Sequence, residues 1–554
     1  MFDIDGISQK SWIRQLAPSI LLSIFSLLCV SSFFTKSATW DESHYLGVGR
    51  YLVTHHSRDI PQAIFHPPLS SVIHGIPLLA VDIPEEIWLD SNADRRGQRI
   101  IALRSDDWML NTSRLAMLPV VLALGWLVFR WSERLYGYGG GILSLAVFAF
   151  SPNMIAHGRL ITPDMTLTLM TVLSGYRLWR LAETPGRRQA LLAGLCLGLL
   201  LLSKHTALAL IPILMATDAV ARFRTARVGW RQLREMLSLL RHWPGLLLIA
   251  FGVLWAGYAF DVGIMEIAGF EIPIIAVDYF EGAFFQWGQS RQLHQFFLMG
   301  GFSEQGWWYF YLLVLAIKIP IATSLLLLGL VVGRSWLGIR FRNAEIYLWM
   351  PFLIFLVYLS VFNTIHNGFR YLMPAFPALL VLLGKYAECS LDRRWLRPTL
   401  SLALVWLIGA NLWIWPDYLA YQNEWIGGPR NGYLWFSDSN LDWGQDLKQL
   451  KGYMDEHEIE KVQLAYFGTA DPAHYGIVYD YLPSANSMLK PMHAGADAAP
   501  EDRATIVALS AYQYQGVGFE DRSVYEFFHR YWPNDQVGYS ILIFDLANLL
   551  PREE

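Results

Sequence analysis

Apolar residues in this chain fall into long runs separated by short polar stretches, not into the one-sided stripe of a water-facing helix. Eleven runs read as spans: 16–34, 113–130, 140–157, 163–180, 189–203, 205–220, 243–260, 307–333, 345–362, 371–388 and 397–415. Lengths near 20 residues suit the roughly 30 Å hydrocarbon core of a bilayer. The two spans flanking Ser203 and Lys204 share only a short polar break, and no internal repeat is visible. The pattern predicts an all-α polytopic membrane domain over residues 1–415, with a long loop at 35–112. Within that loop Ser43–Val53 and Leu69–Ala80 are amphipathic. They read either as helices lying in the interface plane or as helices packed on the bundle.

After Pro416 the pattern changes. Asp446–His457 reads as a short amphipathic helix, and Lys461–Phe467, Ala504–Leu509 and Ser540–Phe544 read as strands between Gly-, Pro- and Ala-rich stretches. Residues 416–554 are therefore expected to form a small soluble α/β domain.

Composition agrees with a membrane protein. Only 16% of residues are charged, against about 25% in a soluble protein. The 23 Trp and 26 Tyr suit interfacial aromatic belts. A net charge of −4 points away from nucleic acid. Cys29, Cys196 and Cys389 lie far apart in or beside apolar runs, with neither disulfide nor metal-ligand spacing. Lys10 and Arg14 precede a first span with no clear small-residue cleavage site, so it is expected to stay as an anchor.

Basic loops set the expected orientation. Lys10, Arg14, Arg130, Arg134, Arg177, Arg180, Arg187, Arg188, the arginines between 222 and 241, Arg334, Arg340, Arg342, Lys385, Arg393, Arg394 and Arg397 alternate with the spans and define a cytoplasmic side. The opposite side then carries 41–111, 157–164, 261–306, 363–370 and everything after Trp415. This makes the chain a multi-pass protein of the inner or plasma membrane, its polar face turned to the periplasm or exterior.

That outer side gathers the candidate chemistry. Trp40-Asp41-Glu42-Ser43-His44-Tyr45 places two adjacent carboxylates just beyond the first span. Ionisable groups at a bilayer edge are costly to desolvate and usually mark function. Near the same face fall His66, Arg114, His157, Arg159, Asp164, Lys204, His205, His366 and Arg370. Lys204 sits between two apolar runs and needs a partner. It reads either as facing an anionic ligand or as pairing with Asp164 to hold two helices together. Arg and Lys suit a lipid phosphate, and a carboxylate suits a base working on an acceptor hydroxyl at a sugar carbon. These groups argue for glycosyl transfer from a lipid-phosphate sugar. A non-catalytic transporter or flippase of lipid-linked sugar is the alternative, although its charges should run through the bilayer rather than gather on one side.

Trp40-Asp41-Glu42-Ser43-His44-Tyr45 with His66-Pro67-Pro68-Leu69 resembles the first external loop of protein O-mannosyltransferases, and its acidic motif that of lipid A aminoarabinose transferases. Ser151-Pro152-Asn153, His157-Gly158-Arg159-Leu160 and Thr162-Pro163-Asp164 resemble the next motif of that superfamily, and Lys204 in Leu202-Ser203-Lys204-His205-Thr206 resembles its mid-membrane lysine. Tyr421-Gln422-Asn423-Glu424, Gly427-Gly428-Pro429 and Asp438-Ser439-Asn440-Leu441-Asp442-Trp443-Gly444-Gln445-Asp446 resemble a tail found in bacterial members. From the residues alone, that last stretch reads either as substrate-facing or as a cap for the helix that follows.

The resemblance implies a C-type glycosyltransferase fold, a polyprenyl-phosphate sugar donor and attack with inversion. It implies Asp41 as the base, with Glu42 orienting the acceptor or binding a cation. Where the mannosyltransferases tend to have Gly-Lys after the His-Pro-Pro-Leu stretch, this chain has Ser70-Ser71. Donor phosphate contacts are therefore expected from Arg114, Lys204 and Arg370, with His66, Arg159 and Asp164 nearby. No cofactor is assigned, a divalent cation and its ligands are left open, and the sugar and acceptor (protein, lipid or glycan) are not readable.

Overall fold

A computed structural model describes residues 11–55, 61–226, 240–267, 269–292, 294–333, 341–485 and 504–552. Lys10, Arg227, Arg231, Arg234, Arg334 and Arg340, used above for orientation, lie outside the described residues.

Helix forms at each of the eleven apolar runs. Yet among the described residues only four helices are long and apolar enough to cross a membrane: Leu16–Phe33, Trp108–Ala149, Asn343–Val361 and Leu396–Ile414. A fifth is added if the bent pair Phe310–Lys318 and Ile321–Val332 counts as one span. The expected count of eleven spans is not confirmed, and local chemistry explains the differences. The run at 307–333 bends by 117° where Lys318-Ile319-Pro320 interrupts it, because proline offers no N–H to continue a helix. The runs at 113–130 and 140–157 join into Trp108–Ala149, which turns at Gly137 (φ 79°), a conformation glycine adopts at no steric cost. The run at 371–388 divides into Phe376–Leu382 and Lys385–Asp392.

The long first loop is largely helical. Trp40–His55, Pro68–Gly75 and Ala93–Ile101 pack on one another. Backbones touch where glycines face across: a Cβ on Gly97 would lie 1.8 Å from the Ser43 carbonyl oxygen, and one on Gly47 would lie 2.2 Å from that of Ala93.

Beyond Trp415, the strands run in the order Tyr479–Tyr481, Val462–Ala465, Ile506–Ser510, Ile541–Asp545, Asp535–Val537. Val462–Ala465 pairs parallel with both neighbours (Gln463 opposite Val507), and Ile541–Asp545 pairs antiparallel with both of its own (Ile541 opposite Ser510). Leu447, Leu450, Val462 and Leu464 share one continuous apolar core with the helices. Packing therefore does not break at 415/416, and a separate small domain is not confirmed.

The seam is also polar. The buried Lys36 ammonium donates to Asp417 and Asp446 and, at 3.0 Å, to Gln449. The buried Asp107 accepts from Lys448 at 2.7 Å and contacts His474 at 3.0 Å.

The glycine contact gives the first test. Gly97→Ala must force the first-loop helices apart, and overpacking of this kind typically costs about 1–3 kcal/mol. Melting temperature in detergent should fall. Gly452→Ala, on a helix with nothing within 4 Å of the new methyl, should leave it unchanged or raise it. Equal melting for the two variants would refute the contact.

Candidate active site

Thr39 opens the helix Trp40–His55. The Glu42 carboxylate accepts from Thr39 N–H at 2.9 Å and from its hydroxyl at 3.2 Å, the carboxylate half of a capping box. Asp41 is thereby the second residue of a helix, where the positive end of the helix dipole favours a negative charge. Trp40 N–H donates to the Trp443 carbonyl at 2.8 Å, tying this turn to the tail.

The partner of Asp41 is Arg370, whose Nη1 donates to Asp41 Oδ2 at 2.7 Å. Arg370 lies on a short turn, Phe369–Tyr371, built by the tail motif. Asn440 Oδ1 accepts from Phe369 N–H at 3.0 Å, and the Ser439 hydroxyl donates to the Asn367 carbonyl at 2.6 Å. Gly368 has φ 82°, and a Cβ there would lie 2.6 Å from Asn440 Oδ1. Asn440 is held from behind by the buried Lys318, which donates to its carbonyl at 2.6 Å. The Arg370 guanidinium lies 4.3 Å over the Trp443 ring. Ser439, Asn440 and Trp443 of the motif thus contact the segment carrying Arg370. Asp442 in the same stretch accepts from the Ser510 hydroxyl and Tyr512 N–H, while burial pushes its carboxyl up to about 7.

A second pair repeats the design. Asp164 is the second residue of Pro163–Glu183, and Lys204 lies in the break between Arg187–Leu201 and Ala207–Ala226. Lys204 Nζ donates to Asp164 Oδ1 at 2.7 Å. Tyr371 stands between the two cations, its ring centre 5.4 Å from Lys204 Nζ and 5.7 Å from Arg370 Cζ. Asp41, His66, Lys204, Arg370 and Tyr371 line one cavity of about 510 Å³. His66 is buried, and desolvation followed by the nearby Lys204 charge hold its imidazole well below its ordinary pKa. It enters the cavity as a neutral hydrogen-bonding group.

Four expected site residues stand apart from the lining of this cavity: Asp164, buried behind Lys204, and Glu42, Arg114 and Arg159. Glu42 and Arg114 are fully buried and bound to each other: Nε donates to Oε1 at 2.8 Å and Nη2 to Oε2 at 2.6 Å. Arg114 also donates to the carbonyls of Phe33, Lys36 and Ser37. The pair holds the bend that leads into Asp41. Arg159 is buried near Pro416, 3.5 Å from its carbonyl. Among the described residues, no group of three or more His, Cys, Asp or Glu side chains is placed to hold a metal ion.

Sequence reasoning missed Tyr371, Trp287 and Asp94, which lies 3.4 Å from the expected His44, all at the cavity. Tyr371 adjoins an expected residue and Trp443 lies inside a recognised motif, so adjacency was the available signal. Trp287 and Asp94 had none.

The Glu42–Arg114 pair supplies a second test. Arg114→Met leaves Glu42 charged and unpaired in the interior, a loss that typically costs about 3–5 kcal/mol. Expression or melting of the variant should collapse. Adding Glu42→Gln should recover part of the loss, and no recovery would refute the pairing.

No curated protein matches the chain. Among solved structures, ArnT from Cupriavidus metallidurans bound to undecaprenyl phosphate aligns at 12% identity and TM-score 0.46, over 97% of this chain and 99% of that one. The Archaeoglobus fulgidus oligosaccharyltransferase in complex with Zn and sulfate aligns at 13% identity and TM-score 0.44, over 93% of this chain and 71% of that one. The S. cerevisiae protein O-mannosyltransferase Pmt1-Pmt2 complex bound to the sugar donor aligns at 14% identity and TM-score 0.31, over 45% of this chain and 33% of that one. Residues 105–255, which hold Arg114, Arg159, Asp164 and Lys204, match the family described as dolichyl-phosphate-mannose-protein mannosyltransferase, so the resemblance carried by the motifs is matched by a glycosyltransferase family profile over that part of the chain.

Proposed function

We propose that the chain is an inverting membrane glycosyltransferase that moves a sugar from a polyprenyl-phosphate donor to an acceptor hydroxyl on the outer face of the membrane, with residues 416–554 on that same side. The observation that carries this reading is the meeting of the Asp41–Arg370 pair and the cation of a second pair, Lys204, at one cavity. A lone buried pair is ordinary structure. Here the Asp41–Arg370 contact, the side chain of Lys204 and the neutral His66 all line a single space beside apolar helices.

The roles follow from reach and charge. Asp41, still partly exposed at 24%, accepts the proton of the acceptor hydroxyl. The acceptor oxygen forms its bond to the anomeric carbon from the face opposite the phosphate, and the bond from that carbon to the phosphate oxygen breaks. Lys204 and Arg370 take the charge that gathers on the departing lipid phosphate. Guanidinium has five N–H donors, so Arg370 can serve Asp41 and a phosphate together. As Asp41 becomes neutral, its hold on Arg370 relaxes while the phosphate becomes more negative. Glu42 and Arg114 work behind the cavity, keeping the Asp41 turn in place.

The experiment is turnover of labelled undecaprenyl-phosphate sugars by the purified protein in vesicles, with acceptors drawn from the cell envelope. Asp41→Asn removes the proton acceptor and retains the shape, and general base catalysis is typically worth about 10²–10⁴ in rate. Turnover should fall by that factor with donor binding retained. Wild-type turnover in Asp41→Asn would exclude the base assignment.

Lys204 gives an independent test. Lys204→Met should weaken donor binding by roughly tenfold to a hundredfold, because a hydrogen bond to a charged group is worth about 1.5–3 kcal/mol. It should also lower stability by stranding Asp164. In Lys204→Met with Asp164→Asn, melting should recover while donor affinity stays low. If both recover together, Lys204 serves only to join two helices.

A further inference from the structure

We infer that Trp443 is a positioning residue that fixes the Asp41–Arg370 pair from both of its ends. The inference rests on Asp41 being the base. Trp443 touches both halves of the pair's support: its carbonyl accepts from Trp40 N–H at 2.8 Å, at the first turn of the Asp41 helix, and its indole lies 4.3 Å from the Arg370 guanidinium.

The backbone of Trp443 has little freedom. Its N–H donates to Gln445 Oε1 at 2.8 Å. Residues 443–447 run beside 37–40 as an irregular ladder, with Ser37 N–H on the Gln445 carbonyl at 2.9 Å, the Ser37 hydroxyl on the Gly444 carbonyl at 3.1 Å, and Leu447 N–H on the Ser37 hydroxyl at 3.1 Å. The side chain is 1% exposed. A movement of the indole must therefore carry the start of the Asp41 helix with it.

The chemistry of the stack matters as much. A guanidinium set over an aromatic face meets the ring through its cation and keeps N–H groups at its edges, one of which reaches Asp41. A carboxylate in place of the indole would compete with Asp41 for those N–H groups. An aliphatic side chain would leave the long Arg370 side chain several rotamers, only some of which meet Asp41. Indole is the strongest aromatic partner for a cation, and it fixes one geometry while accepting no hydrogen bond from the guanidinium.

The test is a double-mutant cycle between Trp443 and Arg370, read as kcat per folded enzyme with an undecaprenyl-phosphate sugar that the wild type turns over. Trp443→Leu should lower kcat by roughly tenfold to thirtyfold, the range a desolvated cation–π contact supports. In an Arg370→Lys background, where the guanidinium is already gone from the indole face, the same change should cost less than about threefold. Trp443→Phe should retain most of the activity in the wild-type background.

Melting is measured on every sample, because a residue that only fills space lowers the folded fraction and leaves kcat per folded enzyme unchanged. Should Trp443→Leu fail to fold, Trp443→Phe carries the cycle, with a smaller loss that again vanishes beside Arg370→Lys. Equal losses in both backgrounds, or wild-type kcat in folded Trp443→Leu, would overturn the inference. Asp41→Asn run in parallel separates the two ideas. A collapsed Asp41→Asn beside additive Trp443 effects removes only the role of Trp443, whereas an active Asp41→Asn removes the base assignment and the inference together.

Discussion

Everything near the cavity follows from one constraint: a carboxylate leaving water must meet a compensating charge nearby. Asp41 meets Arg370 at 2.7 Å and Asp164 meets Lys204 at the same distance. In both pairs the acid is the second residue of a helix, and the cation comes from a break where the helical ladder is interrupted. The helix dipole steadies the acid. The break lets the cation turn inward and keep its charge beside a space large enough for a ligand. Helix starts and helix breaks are thus the source of the site, and the apolar runs between them serve to place those points at one level.

The tail, far away in sequence, is part of the same structure. Ser439, Asn440 and Trp443 shape the turn bearing Arg370, and the ladder at 443–447 holds the turn bearing Asp41. Lys36 sits between carboxylates that both come from the tail. Removing one partner from such a buried cluster strands the others, which is why the polar seam is fully interlocked and the apolar core runs through it without a boundary.

Much of this was legible in the sequence and some was not. Long apolar runs located the helices, because span length is set by the bilayer and not by tertiary context. Interruptions were harder: Lys318-Ile319-Pro320 reads as a minor polar break in an apolar run, yet it bends the chain by 117°. Asp41, Lys204 and Arg370 stood out as ionisable groups beside apolar spans. Pairing with Asp164 was one of the two readings of Lys204, but the pairing of Asp41 with Arg370 was not legible, since the two lie 329 residues apart. Glu42 shows the limit most clearly. Thr39-x-x-Glu42 carries a capping-box signature, but the two adjacent acids looked alike, and only three-dimensional placement sends one to the cavity and the other to Arg114. The tail motif was visible as a motif, while its task of shaping another segment needs contacts that no local pattern encodes.

The ladder between residues 37–40 and 443–447 also sets a clock on synthesis. Ser37 and the Gly444 carbonyl it bonds are separated by 407 positions, and at translation rates of about 5–20 residues per second the second partner arrives roughly 20–80 s after the first. Glu42 meets Arg114 within 72 positions, whereas Asp41 waits 329 for Arg370 and Lys36 waits 381 for Asp417 and 410 for Asp446. The support of the Asp41 turn is therefore completed only by the last quarter of the chain. A ribosome that stops before residue 443 releases a product whose apolar helices are nearly complete but whose turn before Asp41 lacks the segment that braces it.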